Sequence, residues 1–296
     1  MPSILSVCLK GRIQSLKSIT NNVDLLKMRK MQDDLGVIES VALKNKIEVT
    51  DVTKLDFDAK FISPKNADEK NKDKVILYLH GGGYICGGIK YAEGFGSCFA
   101  VKTGIKVLCA AYRLAPENKF PSAVDDVYNA YLYLLDMGYS GEQIYLVGES
   151  AGGGLCYSLC LKLKDAGITM PGKIVAISPW SDLTLSGNSS KQKSAEDPSL
   201  SVDFLRNNAK AYAGENVSDK FASPLFGSLD QMPPSLIFVG TSEILFDDSV
   251  RLAEKLSKSG SKCSLVAEEG MWHAYVLFKT PESSYAMDKI KAFLEI

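Results

Sequence analysis

One serine of the chain lies between two glycines with the spacing G-x-S-x-G, in residues 148–152 (GESAG). A strand is predicted directly before it, at 143–147, and a helix directly after it. A turn this tight strains the serine backbone and exposes the hydroxyl, and glycines two positions away let strand and helix approach. The pattern therefore predicts Ser150 as a nucleophile. The alternative is a glycine-rich turn that binds phosphate, but the spacing matches neither the P-loop nor the dinucleotide fingerprint.

A run of three glycines follows another predicted strand, in residues 80–84 (HGGGY). Consecutive glycines cost conformational entropy, so a loop that keeps them often needs bare backbone N–H groups beside a ligand. In acyl transfer such donors stabilise the negative oxygen of the tetrahedral intermediate, together with the residue after the serine. We predict the N–H groups of Gly82, Gly83 and Ala151 as these donors, with an ordinary flexible loop as the alternative. His80 is expected to pin the loop by hydrogen bonding.

The chain has only two histidines, and His273 follows the last predicted strand, where a general base is expected. The alternative for His273 is a histidine satisfied within a loop. The acid that orients it is expected after the strand predicted at 235–239. Glu243 is the preferred acid. Asp247 is the second choice, because it can also be explained as a cap of the next helix, and Asp182 is a third. Asp247 is expected to brace the acid loop.

Short β-branched runs alternate with amphipathic stretches along the chain, which predicts an α/β fold with a mostly parallel sheet and helices on both faces. The predicted strands are 75–79, 105–112, 143–147, 173–178, 235–239 and 262–267. The predicted helices are 124–135, 155–164, 248–258 and 282–296.

Two segments, about 1–45 and 183–221, fit this alternation poorly. We expect residues 1–296 to form a single domain in which these two segments pack together as a cap over the site. The bulky side chains expected to contact a substrate are Tyr84, Trp180, Phe204 and Tyr212. Because they stand among polar residues, the cap is not expected to expose the apolar surface that an oil–water interface requires.

Composition narrows the possible partners. The formal net charge is -1, with acids and bases mixed along the chain, which argues against nucleic acid. No apolar run approaches the ~18 residues of a membrane span, and the amino terminus has no signal-peptide core. The seven cysteines are scattered and include no CxxC pair, so they are expected to be buried, reduced thiols rather than nucleophiles or metal ligands. These features favour a cytoplasmic protein.

Together these motifs resemble the hormone-sensitive-lipase-like esterases, the bacterial "family IV" group. The resemblance runs from about residue 74 to the carboxyl terminus and includes 80–84, 112–117, 148–153, 178–182 and 272–273. It implies an α/β-hydrolase fold, no metal or cofactor, and a homodimer in some members. It also implies that 112–117 supports the glycine loop, with Arg113 and Glu117 in buried polar contacts. Many members have aspartate where this chain has Glu243.

The expected activity is hydrolysis of small esters with short acyl chains by a serine carboxylesterase. Hydrolysis of an amide, formamide or thioester would use the same residues and stays open. A ligand-binding receptor of the same fold is a third possibility, which the presence of Ser150, Glu243 and His273 argues against.

Overall fold

Eight strands form one sheet within residues 1–20, 23–67 and 69–295, the parts of the chain that the computed structural model describes. The strands are β1 (Ile47–Val52), β2 (Ala59–Pro64), β3 (Val75–Leu79), β4 (Lys106–Ala110), β5 (Ile144–Glu149), β6 (Lys173–Ile177), β7 (Ser235–Gly240) and β8 (Cys263–Glu268). Their order is β1-β2-β4-β3-β5-β6-β7-β8. The last six are parallel, so their carboxyl ends share one edge.

Helices cover both faces of this sheet. In the described ranges they are α1 (Ile4–Thr20), α2 (Leu25–Leu43), α3 (Ile89–Thr103), α4 (Ser122–Asp136), α5 (Ala151–Asp165), α6 (Ser189–Gln192), α7 (Val202–Ala213), α8 (Phe246–Lys258) and α9 (Pro281–Glu295). Alternate residues of β3 enter two separate cores. Leu77 packs in the core that contains α4, α5 and α8, whereas Tyr78 packs in the core that contains α3 and α9.

The predicted α/β architecture is confirmed. All six predicted strands are present, with ends that differ by at most two residues from the prediction, and all four predicted helices are present up to residue 295. The sequence analysis missed the antiparallel hairpin of β1 and β2 and the helix α3. The inner four residues of β1 are exposed, which removes the apolar pattern of a strand. In α3, Gly94 and Gly96 weaken the helical pattern, and a Cβ on Gly96 would lie 2.2 Å from Cys109 Sγ.

The helix α2 packs directly on α3 through two glycines. A Cβ on Gly94 would lie 2.1 Å from the Gly36 carbonyl oxygen, and a Cβ on Gly36 would lie 2.2 Å from the carbonyl oxygen of Lys90. This contact between backbones holds α2 against the body of the protein. The helix α1 is held differently, by polar contacts of Ser3 and Ser6 with Glu282 of α9.

The outer surface of α1 and α2 corrects one expectation from the sequence. Eleven of the fifteen large hydrophobic side chains that are exposed among the described residues lie within the first 41 residues of the chain. The proposed cap segment 1–45 therefore does expose apolar surface. The expectation rested on the bulky residues that stand among polar ones, and it did not take account of the smaller apolar side chains of 1–45. No helix in the described residues is long and apolar enough to cross a membrane.

The glycine contact between α2 and α3 predicts how a methyl group added at Gly94 changes the stability of the protein. We expect Gly94→Ala to lower the free energy of unfolding by about 1 to 3 kcal/mol, because overpacking forces the two backbones apart. The matched control is Gly11→Ala in α1, where an added Cβ meets no atom within 4 Å. That change should raise stability by about 0.5 to 1 kcal/mol. Urea unfolding measures both, and an equal response of the two variants would contradict the assignment.

Candidate active site

Ser150 lies on the turn between β5 and α5. Its φ of 55° and ψ of -122° are rarely adopted by residues with side chains, and such a conformation costs of order 1 to 3 kcal/mol. Two hydrogen bonds hold the backbone there. The Ser150 N–H donates to the Ile177 carbonyl at 2.8 Å, and the Trp180 N–H donates to the Ser150 carbonyl at 2.9 Å. The turn places Ser150 at the carboxyl edge of the sheet.

The glycines on either side of Ser150 are required by close backbone contacts. A Cβ on Gly148 would lie 2.4 Å from the carbonyl oxygen of Gly152, and a Cβ on Gly152 would lie 1.9 Å from the carbonyl oxygen of Leu79. Leu79 ends β3, directly before the glycine loop. The two glycines therefore bring the serine turn and the glycine loop together.

The glycine loop adopts a conformation that side chains would prevent. Gly82 has a φ of 121° and Gly83 a φ of 61°, and a Cβ on Gly82 would lie 2.2 Å from the Cys86 carbonyl oxygen. Both glycines line the same cavity as Ser150. Among the described residues, none accepts a hydrogen bond from the backbone N–H groups of Gly82, Gly83 or Ala151.

His80 is enclosed below this loop and does not line the cavity. Its Nδ1 lies 2.7 Å from the Gly81 carbonyl oxygen, and its ring stacks on Tyr112 with centroids 4.3 Å apart. The Tyr112 hydroxyl donates to the His80 carbonyl at 2.6 Å. Burial lowers the pKa of His80 to about 4, so the ring stays neutral near pH 7. These contacts hold the loop, as the sequence analysis expected.

The structure brings His273 and Glu243 together. His273 Nδ1 lies 2.7 Å from Glu243 Oε2. The other carboxylate oxygen accepts hydrogen bonds from the Gly240 N–H at 2.8 Å and from the Ser178 hydroxyl at 2.8 Å. Burial would lower the pKa of His273, but the hydrogen bond and the charge of Glu243 outweigh it, and the pKa is raised above its ordinary value.

The two alternative acids serve other parts of the fold. Asp247 accepts a hydrogen bond from the Ser189 N–H at 3.0 Å, which links α8 to α6. Asp182 is buried and pairs with Arg251 at 2.9 Å. These contacts join Asp247 and Asp182 to loops and helices rather than to His273, so the geometry favours Glu243.

Ser150, His273 and the glycine loop border one cavity of about 400 Å³. Both segments of the proposed cap contribute to its wall, with Ile13, Leu16, Lys17, Met28, Gln32 and Leu35 from the first, and Pro198, Ser199, Leu200, Phe204 and Leu205 from the second. A concave, largely apolar cavity with a few polar groups is typical of a small-molecule site.

Of the four side chains expected to contact a substrate, only Phe204 lines this cavity. Tyr84, Trp180 and Tyr212 are almost fully buried behind it. The rings of Tyr84 and Tyr212 stack with centroids 3.9 Å apart, and the Tyr84 hydroxyl donates to the Ala151 carbonyl at 3.1 Å. The expectation is therefore corrected for these three aromatic residues, which support the site from behind the cavity wall through contacts between their rings.

Two residues of the site were given no role by the sequence analysis. Glu149 is buried, and its Oε1 accepts a hydrogen bond from the Gly81 N–H at 2.6 Å. Burial raises the pKa of Glu149 to about 7. Ser178 links the acid to the histidine loop, since its hydroxyl oxygen also accepts a hydrogen bond from the Ala274 N–H at 3.0 Å. Both residues lie within motifs that carry the family resemblance, 148–153 and 178–182. Their place in these motifs could have indicated a role in the site.

Arg29 of α2 ties the first segment to the site. Its guanidinium donates to the carbonyls of Ile85 at 2.7 Å and Ala115 at 2.8 Å and pairs with Glu117 at 2.8 Å. Glu117 is half-exposed, so the expectation of a buried contact is wrong for this residue. Arg113 is also partly exposed, although its partner Asp126 is buried.

All seven cysteines carry free thiols. Cys86 lines the cavity, and burial raises its pKa to about 11, which leaves the thiol protonated and a poor nucleophile. No group of three or more His, Cys, Asp or Glu side chains that could hold a metal occurs within the described residues.

A family model described as "alpha/beta hydrolase fold" matches residues 76–277. An esterase of Acinetobacter venetianus is 34% identical over 74% of this chain and 74% of its own. An acetyl-hydrolase of Streptomyces hygroscopicus is 35% identical over 80% of this chain and 79% of its own. The chain belongs to the alpha/beta hydrolase fold family.

Within that family the hydrolase is similar to the hormone-sensitive-lipase group. A solved esterase from the bacterial hormone-sensitive lipase family superposes with a TM-score of 0.89, at 32% identity and over 97% of each chain. An esterase/lipase from an uncultured bacterium superposes with a TM-score of 0.86, at 32% identity, covering 95% of this chain and 97% of its own. The resemblance inferred from the sequence is confirmed.

The contact between His273 and Glu243 predicts the titration of this hydrolase. We expect the pKa of His273 to lie above its ordinary value, and Glu243→Gln to lower it, because the amide removes the negative charge and leaves burial dominant. Asp247→Asn is the control and should leave the pKa unchanged. NMR of the imidazole signals measures this directly, since the chain has two histidines. A larger effect of Asp247→Asn would assign the acid to Asp247.

Proposed function

We propose that the protein is a serine carboxylesterase that hydrolyses esters with short acyl chains. Ser150 is the nucleophile, His273 is the general base, and Glu243 orients and stabilises the histidine. The observation that carries the proposal is the 2.7 Å contact between His273 Nδ1 and Glu243 Oε2 in a cavity that Ser150 also lines. The similar proteins from Acinetobacter venetianus and Streptomyces hygroscopicus are an esterase and an acetyl-hydrolase, which supports ester hydrolysis here.

The reaction begins when His273 Nε2 takes the proton of Ser150 Oγ, and Oγ attacks the ester carbonyl carbon. The imidazolium that forms is stabilised by Glu243, which stays charged. It then gives its proton to the departing alcohol oxygen as the carbon–oxygen bond breaks, leaving an acyl group on Ser150. Water, deprotonated by His273, attacks the acyl carbon, and release of the carboxylic acid restores the serine.

The negative oxygen of each tetrahedral intermediate is assigned to the N–H groups of Gly82, Gly83 and Ala151. Gly82 and Gly83 line the same cavity as Ser150, and their positive φ angles, which disfavour side chains, support this assignment. Ala151 is also the first residue of α5, whose dipole favours negative charge at its amino end. Loss of one such donor typically costs about 10²–10³ in rate.

The proposed preference for short acyl chains rests on the wall formed by α7. Leu200, Phe204 and Leu205 line the cavity on this side, and Leu205 is buried. An acyl chain gains binding energy per methylene only until it reaches this wall.

Replacement of Ser150 tests the nucleophile. We expect Ser150→Ala to lower kcat by about 10⁶, as for the serine of other triads, and to abolish labelling by a fluorophosphonate. The matched control is Ser158→Ala, since Ser158 is a buried serine of the helix α5 that follows Ser150, and its hydroxyl donates to the Gly154 carbonyl. Circular dichroism reports the fold. Substantial turnover or labelling by a folded Ser150→Ala variant would refute the proposal.

A series of soluble p-nitrophenyl esters tests the acyl preference. We expect kcat/KM to rise by about fourfold per methylene, from acetyl to about hexanoyl, and then to fall. Phe204→Ala should move the optimum to longer chains because it removes part of the wall. Phe226→Ala is the control, since Phe226 is a half-exposed residue outside the cavity. A rate that still rises beyond decanoyl, or rapid hydrolysis of an emulsified long-chain triglyceride, would contradict the short-chain preference.

A further inference from the structure

The helices α1 and α2 expose many large hydrophobic side chains, which is unusual for helices that face solvent. Three of these side chains, Met31, Ile38 and Val41, are 41%, 60% and 58% exposed and lie on the side of α2 opposite Gly36, which contacts α3. The remaining large side chains exposed on the two helices are Ile4, Leu5, Val7, Leu16, Leu26, Leu35 and Val37. We call the exposed residues of 1–46 the cap face.

Single exposed hydrophobic residues are ordinary, but a concentration of them marks an interaction surface. Elsewhere in the described residues only four large hydrophobic side chains are exposed, and these are Val49, Met137, Phe226 and Tyr285, far apart in sequence. The concentration of exposed apolar side chains on the cap face therefore indicates that this surface binds something.

The charge of the segment that carries the cap face indicates which kind of partner this surface would bind. Residues 1–46 contain eight lysines and arginines against four aspartates and glutamates, a net charge of +4. The rest of the chain contains 26 basic and 31 acidic residues, a net charge of -5. Arg12, Lys27, Lys44 and Lys46 are exposed beside the apolar side chains. Exposed lysine and arginine beside exposed apolar side chains favour binding at an anionic lipid surface, which attracts the basic groups.

The cap face is also continuous with the cavity. Leu35 is 55% exposed at the surface and at the same time lines the cavity that contains Ser150. An apolar molecule that moves from a surface bound to the cap face into the cavity would therefore contact apolar side chains on the way.

We propose that the cap face docks the protein on an anionic lipid surface, with the cavity next to that surface. The side chains of α1 and α2 would enter the interface without crossing it, since neither helix is apolar enough to span a membrane. A second copy of the chain fits less well, because a symmetric contact would bring together two surfaces on which five exposed basic residues outnumber two exposed acidic residues. This proposal concerns only the binding of the protein to a lipid surface, and it does not depend on the proposed ester hydrolysis.

Co-sedimentation with vesicles tests the proposal on the full chain. The protein should bind vesicles of equal parts phosphatidylcholine and phosphatidylserine, bind pure phosphatidylcholine at least tenfold more weakly, and be released by high salt. Ile38→Gln with Val41→Gln should weaken binding to the mixed vesicles at least tenfold, because two buried apolar groups are lost. Lys27→Gln with Lys44→Gln should weaken it about fivefold for each residue.

Matched variants elsewhere on the surface control for general effects of polarity and charge. Met137→Gln with Tyr285→Gln removes exposed apolar groups, and Lys258→Gln with Lys262→Gln removes exposed lysines. Both pairs should bind as the unchanged protein does. Hydrolysis of a soluble ester should be equal in all variants, since none of these residues lines the cavity, and circular dichroism reports the fold independently of activity.

Three results would overturn the proposal. The first is no binding of the unchanged protein to the mixed vesicles. The second is an equal loss of binding in the cap-face variants and in their controls. The third is a dimer in light scattering that Ile38→Gln with Val41→Gln converts to monomer, because the cap face would then be covered by a second copy.

Discussion

The strained turn at Ser150 is the constraint on which the rest of the site depends. Its positive φ is held by hydrogen bonds from two neighbouring segments and is possible only because Gly148 and Gly152 lack side chains. The close approach of Gly152 to Leu79 places the glycine loop beside the serine. The same sheet edge carries Glu243 after β7 and His273 after β8, so parallel strands bring together Ser150, Glu243 and His273, which follow one another at 93 and 30 positions in the sequence.

Two buried carboxylates flank the serine in different surroundings. The Glu243 carboxylate contacts His273, the Gly240 N–H and the Ser178 hydroxyl, and these donors stabilise its negative charge. The Glu149 carboxylate accepts a hydrogen bond from the Gly81 N–H, and burial raises its pKa to about 7. The surroundings thus allow Glu243 to stabilise a cation on His273, while Glu149 holds the glycine loop. The division follows from what each carboxylate contacts, which is His273 for Glu243 and the glycine loop for Glu149.

The sequence was informative where a local rule governs the structure. The serine turn, the glycine loop and the parallel strands each follow from glycine spacing or apolar runs, and the structure places them where these rules predict. Features that depend on tertiary packing could not be predicted from the sequence by such local rules. Tyr84, Trp180 and Tyr212 are large and lie near the site in sequence, but the contacts of Tyr84 with the other two rings keep all three behind the cavity wall. The helix α3 was missed because its glycines serve contacts with α2 and with Cys109, which no local pattern shows. The exposed face of α2 likewise depends on which side of the helix meets α3.

The central claim is that an acyl group passes through a covalent bond to Ser150. The most direct test mixes the protein with excess p-nitrophenyl butyrate, stops the reaction with acid within the first turnover, and measures the intact mass and the mass of each peptide. The account predicts a gain of one butyryl group on the peptide that contains Ser150. A butyryl group on another residue, such as Cys86 in the cavity wall, or rapid turnover with no covalent species in the first turnover, would contradict it.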